Sequence, residues 1–179
     1  RRAGEAAVAG LVASFATGAG LDVSFEEVLP GRGNVLARLA TGISVDSTSK
    51  ADSSGNLRTV MGANAYYQVS TQIGGTTGLT QNDAVDVTAD PFVKSYAGNF
   101  YPAKAVTGSP SIIDSSLNTL HDRNEYVNLI SPLGMPPSPI IAPSLDIYGQ
   151  LRTDDPTVAS SPGLGANPFK DRGAIDRVD

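Results

Sequence analysis

The chain states one stretch of sequence twice: Leu11-Val-Ala-Ser-Phe-Ala-Thr-Gly-Ala-Gly-Leu-Asp22 returns as Val35-Leu-Ala-Arg-Leu-Ala-Thr-Gly-Ile-Ser-Val-Asp46. Five of the 12 positions are identical, and four more keep an apolar residue. Self-similarity at a fixed period of this length is typical of a solenoid, in which each turn of the chain is one structural unit. The repeat therefore predicts coils of about 24 residues.

Each copy of the repeat predicts a pair of short strands. In the first copy, residues 11–16 and Gly20–Phe25 carry apolar residues near the two-residue period of a strand. Val35–Leu39 and Ile43–Val45 repeat that pair. The Pro- and Gly-containing stretch between the copies, Leu29–Asn34, is predicted to be a loop.

Weaker copies follow at a similar spacing. Val60-Met-Gly-Ala-Asn-Ala-Tyr-Tyr67 and Val85-Asp-Val87 come after Val35 in successive steps of about 25 residues, close to the period of the first two copies. In a solenoid each strand pairs in parallel with its copies, at about 4.8 Å. We therefore expect Asp46 to lie about one inter-strand step from Asp22.

Two other folds have similar short strands or a similar repeat length. An antiparallel β-sandwich also has short strands with frequent turns, but it gives no reason for residues to recur at a fixed register. A leucine-rich-repeat horseshoe has a similar period, but its Leu-x-x-Leu-x-Leu run and its Asn are missing. The fold favoured by the sequence is all-β, a parallel solenoid.

Composition excludes several classes of function. The 179 residues carry a formal net charge of −5, and the 13 Lys and Arg are scattered, which argues against nucleic acid as a partner. There is no cysteine, so disulfides and thiolate metal sites are excluded. No apolar run approaches the length of a membrane-spanning helix. The Arg-Arg start, with the repeat already running by residue 11, suggests an excerpt from a longer protein.

The amino-acid composition of the chain changes near Asp90. Eleven of the 12 prolines lie after this residue, and proline lacks the N–H that the interior of a β-ladder requires. The last coil of a repeat array also needs an atypical terminal unit that covers its unpaired backbone. We therefore expect residues 1–90 to form the coils and residues 91–179 to form an irregular, Pro-rich capping segment packed on them as one domain.

Motifs in the C-terminal half resemble those of a known family. They are Asp90-Pro-Phe-Val93, Gly98-Asn-Phe-Tyr-Pro102, Gly108-Ser-Pro-Ser-Ile-Ile-Asp114, Asp146-Ile-Tyr-Gly-Gln-Leu-Arg152 and Asp171-Arg-Gly-Ala-Ile-Asp176. As a set they resemble the C-terminal part of bacterial right-handed parallel β-helix repeat proteins. The chain departs from that pattern at Asp176, where Glu is usual, and in a Pro-rich, insertion-like stretch at residues 121–145.

The resemblance implies a right-handed parallel β-helix and an extracellular or cell-surface location. It implies a module of a very large bacterial protein, and it implies no specific chemistry. Because the first coil has no evident cap, we expect neighbouring domains or subunits to bind at the open end of the β-helix. Glycans are a further possible partner, through the lateral face.

The closing motifs contain a candidate cluster of charged residues: Asp146, Arg152, Asp171 and Asp176. Such a set could grip a sugar or a metal ion. Arginine also makes bidentate pairs with carboxylates, and we favour a structural cap in which Arg152 pairs with Asp146 or Asp171 and pins the closing loops.

Other candidates for chemistry are weaker. Asp154-Asp155-Pro156 resembles the paired carboxylates of glycoside hydrolysis, although adjacent side chains usually diverge. His121 is the only histidine, and no Gly-x-Ser-x-Gly motif accompanies it. Asp22 and Asp46, if stacked, could hold calcium between coils, or they could be solvated turn acids. No catalytic residue, cofactor site or bound cofactor other than this possible calcium is predicted.

Six aromatic side chains form the main aromatic set, which we expect to pack in the core or the cap rather than to stack on sugars. They are Tyr66, Tyr67, Phe92, Tyr96, Phe100 and Tyr101.

The sequence therefore favours a non-catalytic structural or adhesive module. Two alternatives stay open. A polysaccharide lyase or glycoside hydrolase on the same scaffold would need several acids or bases converging in one groove, and a phage or viral fibre would need a three-fold apolar interface.

Overall fold

The computed structural model describes strands Val12–Ser14, Ala19–Val23 and Leu29–Arg32 and then residues 34–45, 59–75, 81–116, 144–159 and 170–178. In these residues the protein is all-β, with twelve strands and one short 3-10 helix at Ser95–Ala97. The predicted fold class is confirmed at this level.

The strands are short. In chain order they are β1 Val12–Ser14, β2 Ala19–Val23, β3 Leu29–Arg32, β4 Val35–Ala37, β5 Thr41–Val45, β6 Thr59–Gly62, β7 Ala65–Tyr67, β8 Thr71–Gly75, β9 Gln81–Asn82, β10 Val85–Asp86, β11 Phe92–Lys94 and β12 Asn99–Pro102.

The first ten strands form three parallel sheets. Each strand pairs with the strand three places later in the chain, which gives the orders β1-β4-β7-β10, β2-β5-β8 and β3-β6-β9. The predicted parallel pairing between copies of the repeat is confirmed. A β-sandwich would require antiparallel neighbours in these sheets.

The predicted register of the first two copies is wrong by one position between β1 and β4 and by two positions between β2 and β5. Asp22 lies opposite Ser44 and not opposite Asp46, which falls outside the described residues. The observed register places Val23 opposite Val45, whereas a register that aligned the two aspartates would place Val23 opposite a serine. Matching apolar residue to apolar residue along the strand outweighs matching the two aspartates.

The period is also less regular than predicted. The step from Val35 to its partner Ala65 is longer than the step from Val12 to Val35, and the step from Met61 to Gln81 is shorter than either. The difference comes mainly from the connections between the second and third sheets, which differ in length. These connections are residues 24–28, 46–58 and 76–80.

The stretch predicted as a loop before the second copy contains a strand, β3. Pro30 lies in it opposite Val60. Proline is tolerated because β3 is the edge strand of its sheet, so that only one side of the strand needs ladder hydrogen bonds.

Sharp corners between the third and first sheets use left-handed backbone. Ala63 and Asp83 precede β7 and β10 by two positions and have φ values of 52° and 54°. Asn34 and Asn64 occupy the next corner position, where both are buried. The Asn64 Oδ1 accepts hydrogen bonds from the Asn34 backbone N–H (3.2 Å) and side-chain amide (3.1 Å), so buried polar groups at this corner are satisfied from coil to coil.

Strands β4 and β7 of the first sheet are buried on both faces. Because side chains alternate along a strand, Leu36 and Tyr66 point to one face and Val35 and Tyr67 to the other. On the Leu36 face they pack with Ile43 and other residues of the second sheet. On the Val35 face they pack with residues that follow the sheet in the chain, which are Val87, Phe92 and Ile112.

The segment after Asp90 therefore lies against one face of the first sheet. Its strands β11 and β12 form an antiparallel pair, and Pro102 ends β12 opposite Phe92. The rings of Phe92 and Phe100 meet edge to face with centroids 5.5 Å apart. The segment shares its hydrophobic cluster with the coils, as a capping segment of the same domain would; the predicted boundary at residue 90 stays a prediction.

Gly42 marks a close approach between strands. A Cβ atom built there would lie 2.9 Å from the Gln72 carbonyl oxygen and 2.9 Å from Tyr66 Cε1. We expect Gly42→Ala to lower the free energy of unfolding by about 1–3 kcal/mol through overpacking, as measured by urea denaturation. Gly98→Ala is the control, because Gly98 has φ 78° but open space around it. An added Cβ there causes backbone strain without steric crowding, and its expected cost is about 1 kcal/mol. A loss at Gly42 no larger than at Gly98 would contradict the close approach.

Candidate functional site: a buried aspartate network

The structure brings together the four charged residues predicted for the cap. Asp146 and Arg152 flank a turn closed by the antiparallel bridge between Leu145 and Leu151, and Asp171 and Asp176 lie in the C-terminal stretch 170–178. All four are nearly buried. Their charges must therefore be compensated inside the protein.

The Asp146 carboxylate shapes the turn in which it lies. Its Oδ1 accepts hydrogen bonds from the backbone N–H groups of Tyr148 (2.8 Å) and Gln150 (2.9 Å), and Gly149 takes the left-handed conformation with φ 78°. The spacing of aspartate, glycine and arginine in this motif thus has a local cause: a carboxylate and a glycine together form the turn that presents Arg152.

The predicted partner of Arg152 is wrong. Its Nη1 lies 3.2 Å from the Asp176 Oδ1, not on the carboxylate of Asp146 or Asp171. Arg152 also donates to the carbonyl oxygens of Asp171 (3.3 Å) and Gly173 (3.1 Å). The carboxylates of Asp146 and Asp171 accept backbone N–H groups instead, which sequence spacing does not reveal.

Two further aspartates complete the network. The Asp171 carboxylate accepts from the backbone N–H groups of Asp114 (2.9 Å) and Arg177 (2.8 Å). The Asp114 Oδ2 accepts from the Asp155 N–H at 3.0 Å, and the Asp155 Oδ1 accepts from the N–H and hydroxyl of Thr157. Sequence reasoning missed Asp114 as a site residue, although it ends one of the recognised motifs.

The adjacent acids Asp154 and Asp155 have different surroundings. Asp155 is 5% exposed, whereas Asp154 is exposed. Hydrogen bonds from Thr157 lower the pKa of Asp155, which favours its ionised form. The pair does not share one surface, as the paired carboxylates of a glycoside hydrolase would.

Burial changes the acidity of the two central aspartates. It raises the pKa of Asp114 to about 7, and the nearby charges of Asp154, Asp155 and Asp176 act in the same direction. Burial also raises the pKa of Asp171 to about 7, with added repulsion from Asp176 and Asp114. In both cases backbone hydrogen bonds oppose the shift and do not cancel it.

Arg172 connects the network to the coils, and sequence reasoning missed it. It is 1% exposed and is the largest of the fully buried side chains. Its Nη1 donates to the carbonyl oxygens of Asn64 and Asp83, both at 2.8 Å, and its Nε donates to the Ser115 Oγ at 2.9 Å. The side chain thus binds the corners that precede β7 and β10, each of which contains a left-handed residue.

A second link joins the coils to the first motif after them. The Asp90 Oδ2 accepts from Arg38 Nη2 (2.6 Å) and from Ser95 Oγ (2.9 Å), while its Oδ1 accepts from the Phe92 N–H. Arg38 also lies over the Tyr67 ring, 5.2 Å from its centroid. This ion pair is about one-third exposed on both sides, so its contribution to stability is below about 1 kcal/mol.

The remaining predicted candidates lie partly outside the described residues. Asp22 lies in β2, and its proposed calcium partner Asp46 is outside the described residues, as is His121. Within the described ranges, no three acidic or histidine side chains are grouped so that they could hold a metal ion. The calcium hypothesis therefore stays a prediction.

The aromatic set divides between the interior and the surface. Tyr66, Tyr67 and Phe92 are buried, as predicted. Burial raises the pKa of Tyr66 to about 12, and its hydroxyl donates to Gln81 Oε1 at 2.7 Å. Tyr96 contradicts the prediction of core or cap packing, because it is 82% exposed.

The hydrogen bonds and the ion pair of the network connect separate segments of the chain. Its carboxylates are directed at backbone N–H groups and at one guanidinium, and they join three segments: residues 111–116, 144–159 and 170–178. Comparison with protein-family models, curated proteins and solved structures found no match to this chain. In the part of the chain that the structure describes, no helix has the length and apolar character needed to span a bilayer.

Proposed function

We propose that the chain is a module of a bacterial right-handed parallel β-helix repeat protein. The pairing of each strand with the strand three places later supports three strands per coil. Connections between parallel strands of one sheet are right-handed in about 98% of cases, which supports the hand. Connections of unequal length on one side of the coil fit a solenoid, where insertions map to loops.

Its proposed role is non-catalytic: a rigid structural or adhesive module at the bacterial cell surface or outside the cell. The observation that supports this proposal is which groups the buried aspartate carboxylates bind. Asp146, Asp171 and Asp176 bind backbone N–H groups and Arg152, which are contacts that hold loops together. A polysaccharide-cleaving enzyme needs acids that reach a substrate across an open groove.

The contact surface for partners lies away from the face of the first sheet that the capping segment covers. Neighbouring domains or subunits are proposed to bind at the end formed by β1, β2 and β3, which are the edge strands of their sheets. For glycans, the most exposed aromatic side chains among the described residues are Tyr96 and Tyr148, which are 82% and 70% exposed.

A glycan-array screen combined with a depolymerisation assay tests this role. We expect binding to at least one class of polysaccharide without the release of new sugar ends. Tyr96→Ala and Tyr148→Ala should weaken that binding about tenfold, if each removes a contact worth about 1.4 kcal/mol. Val106→Ala, at an exposed position without an aromatic ring, is the matched control and should leave binding unchanged.

Three results would count against the proposal. Cleavage of any polysaccharide would favour the enzyme. A stable three-fold particle in solution would favour a fibre. The absence of binding to every glycan would remove the adhesive part and leave a structural one.

A further inference from the structure

We infer that Asp114 and Asp171 form a proton-operated latch that holds residues 170–178 against residues 111–116. In this latch, protons bound to the two carboxyl groups keep the C-terminal stretch docked, and their loss loosens the contact. The latch is independent of the proposed adhesive role, because it concerns only how the chain closes on itself.

The two segments meet through a small set of hydrogen bonds with the aspartates at its centre. The Asp114 N–H donates to the Asp171 Oδ1 at 2.9 Å. On either side, the Arg172 N–H donates to the Ile112 carbonyl oxygen and the Ser116 N–H donates to the Lys170 carbonyl oxygen, both at 2.8 Å. The titrating pair therefore lies inside the contact that it would control.

An unpartnered buried oxygen distinguishes this pair from an ordinary loop-closing cluster. Asp114 is 0% exposed, its Oδ2 accepts the Asp155 N–H, and its Oδ1 has no hydrogen-bond partner. A buried carboxylate with one unsatisfied oxygen is costly when it is ionised and much less so when it is neutral. Asp114 thus favours a bound proton on geometric grounds, and its raised pKa agrees with this. Each Asp171 oxygen accepts one backbone N–H, so the raised pKa of Asp171 comes from burial and from the neighbouring carboxylates.

The charged groups around the pair come from three segments of the chain, and the acids among them raise the pKa of both carboxyl groups. From residues 144–159 they are Arg152, Asp154 and Asp155, from the C-terminal stretch they are Lys170, Arg172, Asp176 and Arg177, and Lys104 acts on Asp155 from the segment after β12. Arg152 forms its ion pair with Asp176, and Arg172 binds neutral oxygens. Full ionisation therefore places like charges close together.

The direction of the pH effect follows from the raised pKa values. The folded chain keeps protons on Asp114 and Asp171 up to about pH 7, whereas the unfolded or undocked chain gives them up near its ordinary value of 3.8. The stabilisation is complete below about pH 4 and is lost as the pH rises through 7. Loosening above that pH would uncover Ile112 and release Arg172 from the corners of the coils.

Hydrogen exchange of the intact protein tests the latch. We expect the opening constants of the Arg172, Arg177 and Ser116 amides, corrected for intrinsic exchange, to rise at least about tenfold from pH 5.5 to pH 8.5, as one unit of pKa difference would give. The Val87 amide, which donates to the Tyr66 carbonyl oxygen within the coils, should not change and serves as an internal control.

Asp114→Asn removes the charge and keeps an oxygen that can accept the Asp155 N–H. It should reduce the pH dependence to about threefold, the share that Asp171 still supplies, whereas Asp86→Asn, at an exposed position on β10, should retain the full effect. A flat profile in the wild-type protein, or an unchanged profile in Asp114→Asn, would overturn the latch. If Asp114→Asn does not fold, carbon-13 titration of the wild-type carboxyl groups decides: midpoints near 7 for the pair support the latch, and midpoints near 4 exclude it.

Discussion

Arg172→Met is expected to lower the free energy of unfolding by about 3–5 kcal/mol, because it leaves several buried acceptors without their donor. The substitution keeps most of the length of the side chain but removes the hydrogen bonds to the carbonyl oxygens of Asn64 and Asp83 and to the Ser115 hydroxyl. Each buried acceptor that loses its hydrogen bond costs about 1–3 kcal/mol. Because Arg172 connects residues 170–178 to two coils, we also expect that stretch to lose its protection against hydrogen exchange. Urea denaturation gives the first quantity.

Arg38→Met is the matched control for this experiment. It removes the same side chain from a position where the guanidinium is one-third exposed and its partner Asp90 is 30% exposed. The expected loss is below about 1 kcal/mol, as for other solvated ion pairs. Equal losses of unfolding free energy in the two variants would contradict the view that Arg172 contributes most to holding the C-terminal stretch in place.

The parallel pairing of strands could be predicted from the sequence, but the register could not. The similarity of Val35–Val45 to the first copy follows from physical needs that each coil repeats, which are apolar residues in each strand and tight turns between strands. The exact partners depend on the connections between sheets, and the 46–58 connection is longer than 24–28 or 76–80. A single average period hides this variation, which is why Ala65, rather than Val60, lies opposite Val35.

The site was only partly predictable for a related reason. Motif resemblance located Asp146, Arg152, Asp171 and Asp176, because acids and arginines in a closing segment signal ion pairs. It could not assign the partners, because most of the donors and acceptors are backbone groups. Arg172 is an example: its acceptors include the carbonyl oxygens of Asn64 and Asp83, which lie far earlier in the chain, and no side-chain pattern marks them.

The ion pair between Arg152 and Asp176 gives the second large effect. Asp176 is 0% exposed and accepts from Arg152 Nη1, from the Asp171 N–H and from the Thr153 N–H. Asp176→Asn leaves Arg152 as a buried charge without its counterion and turns an amide N–H₂ toward one of the backbone donors. We expect a loss of about 3–5 kcal/mol in the free energy of unfolding, the usual cost of breaking a buried pair from one side.

The experiment is best done at pH 5.5, where Asp114 and Asp171 are mostly protonated, so that removing the Asp176 charge does not also relieve repulsion on them. Asp154→Asn, at an exposed acid in the same part of the chain, should change stability by no more than about 0.5 kcal/mol. In a double-mutant cycle, Arg152→Met combined with Asp176→Asn should lose clearly less than the sum of the two single variants, since the double variant contains no unpaired buried charge. Strict additivity would mean that the 3.2 Å contact between Arg152 and Asp176 contributes no coupling energy, and the stabilisation by Asp176 would then come from its backbone hydrogen bonds alone.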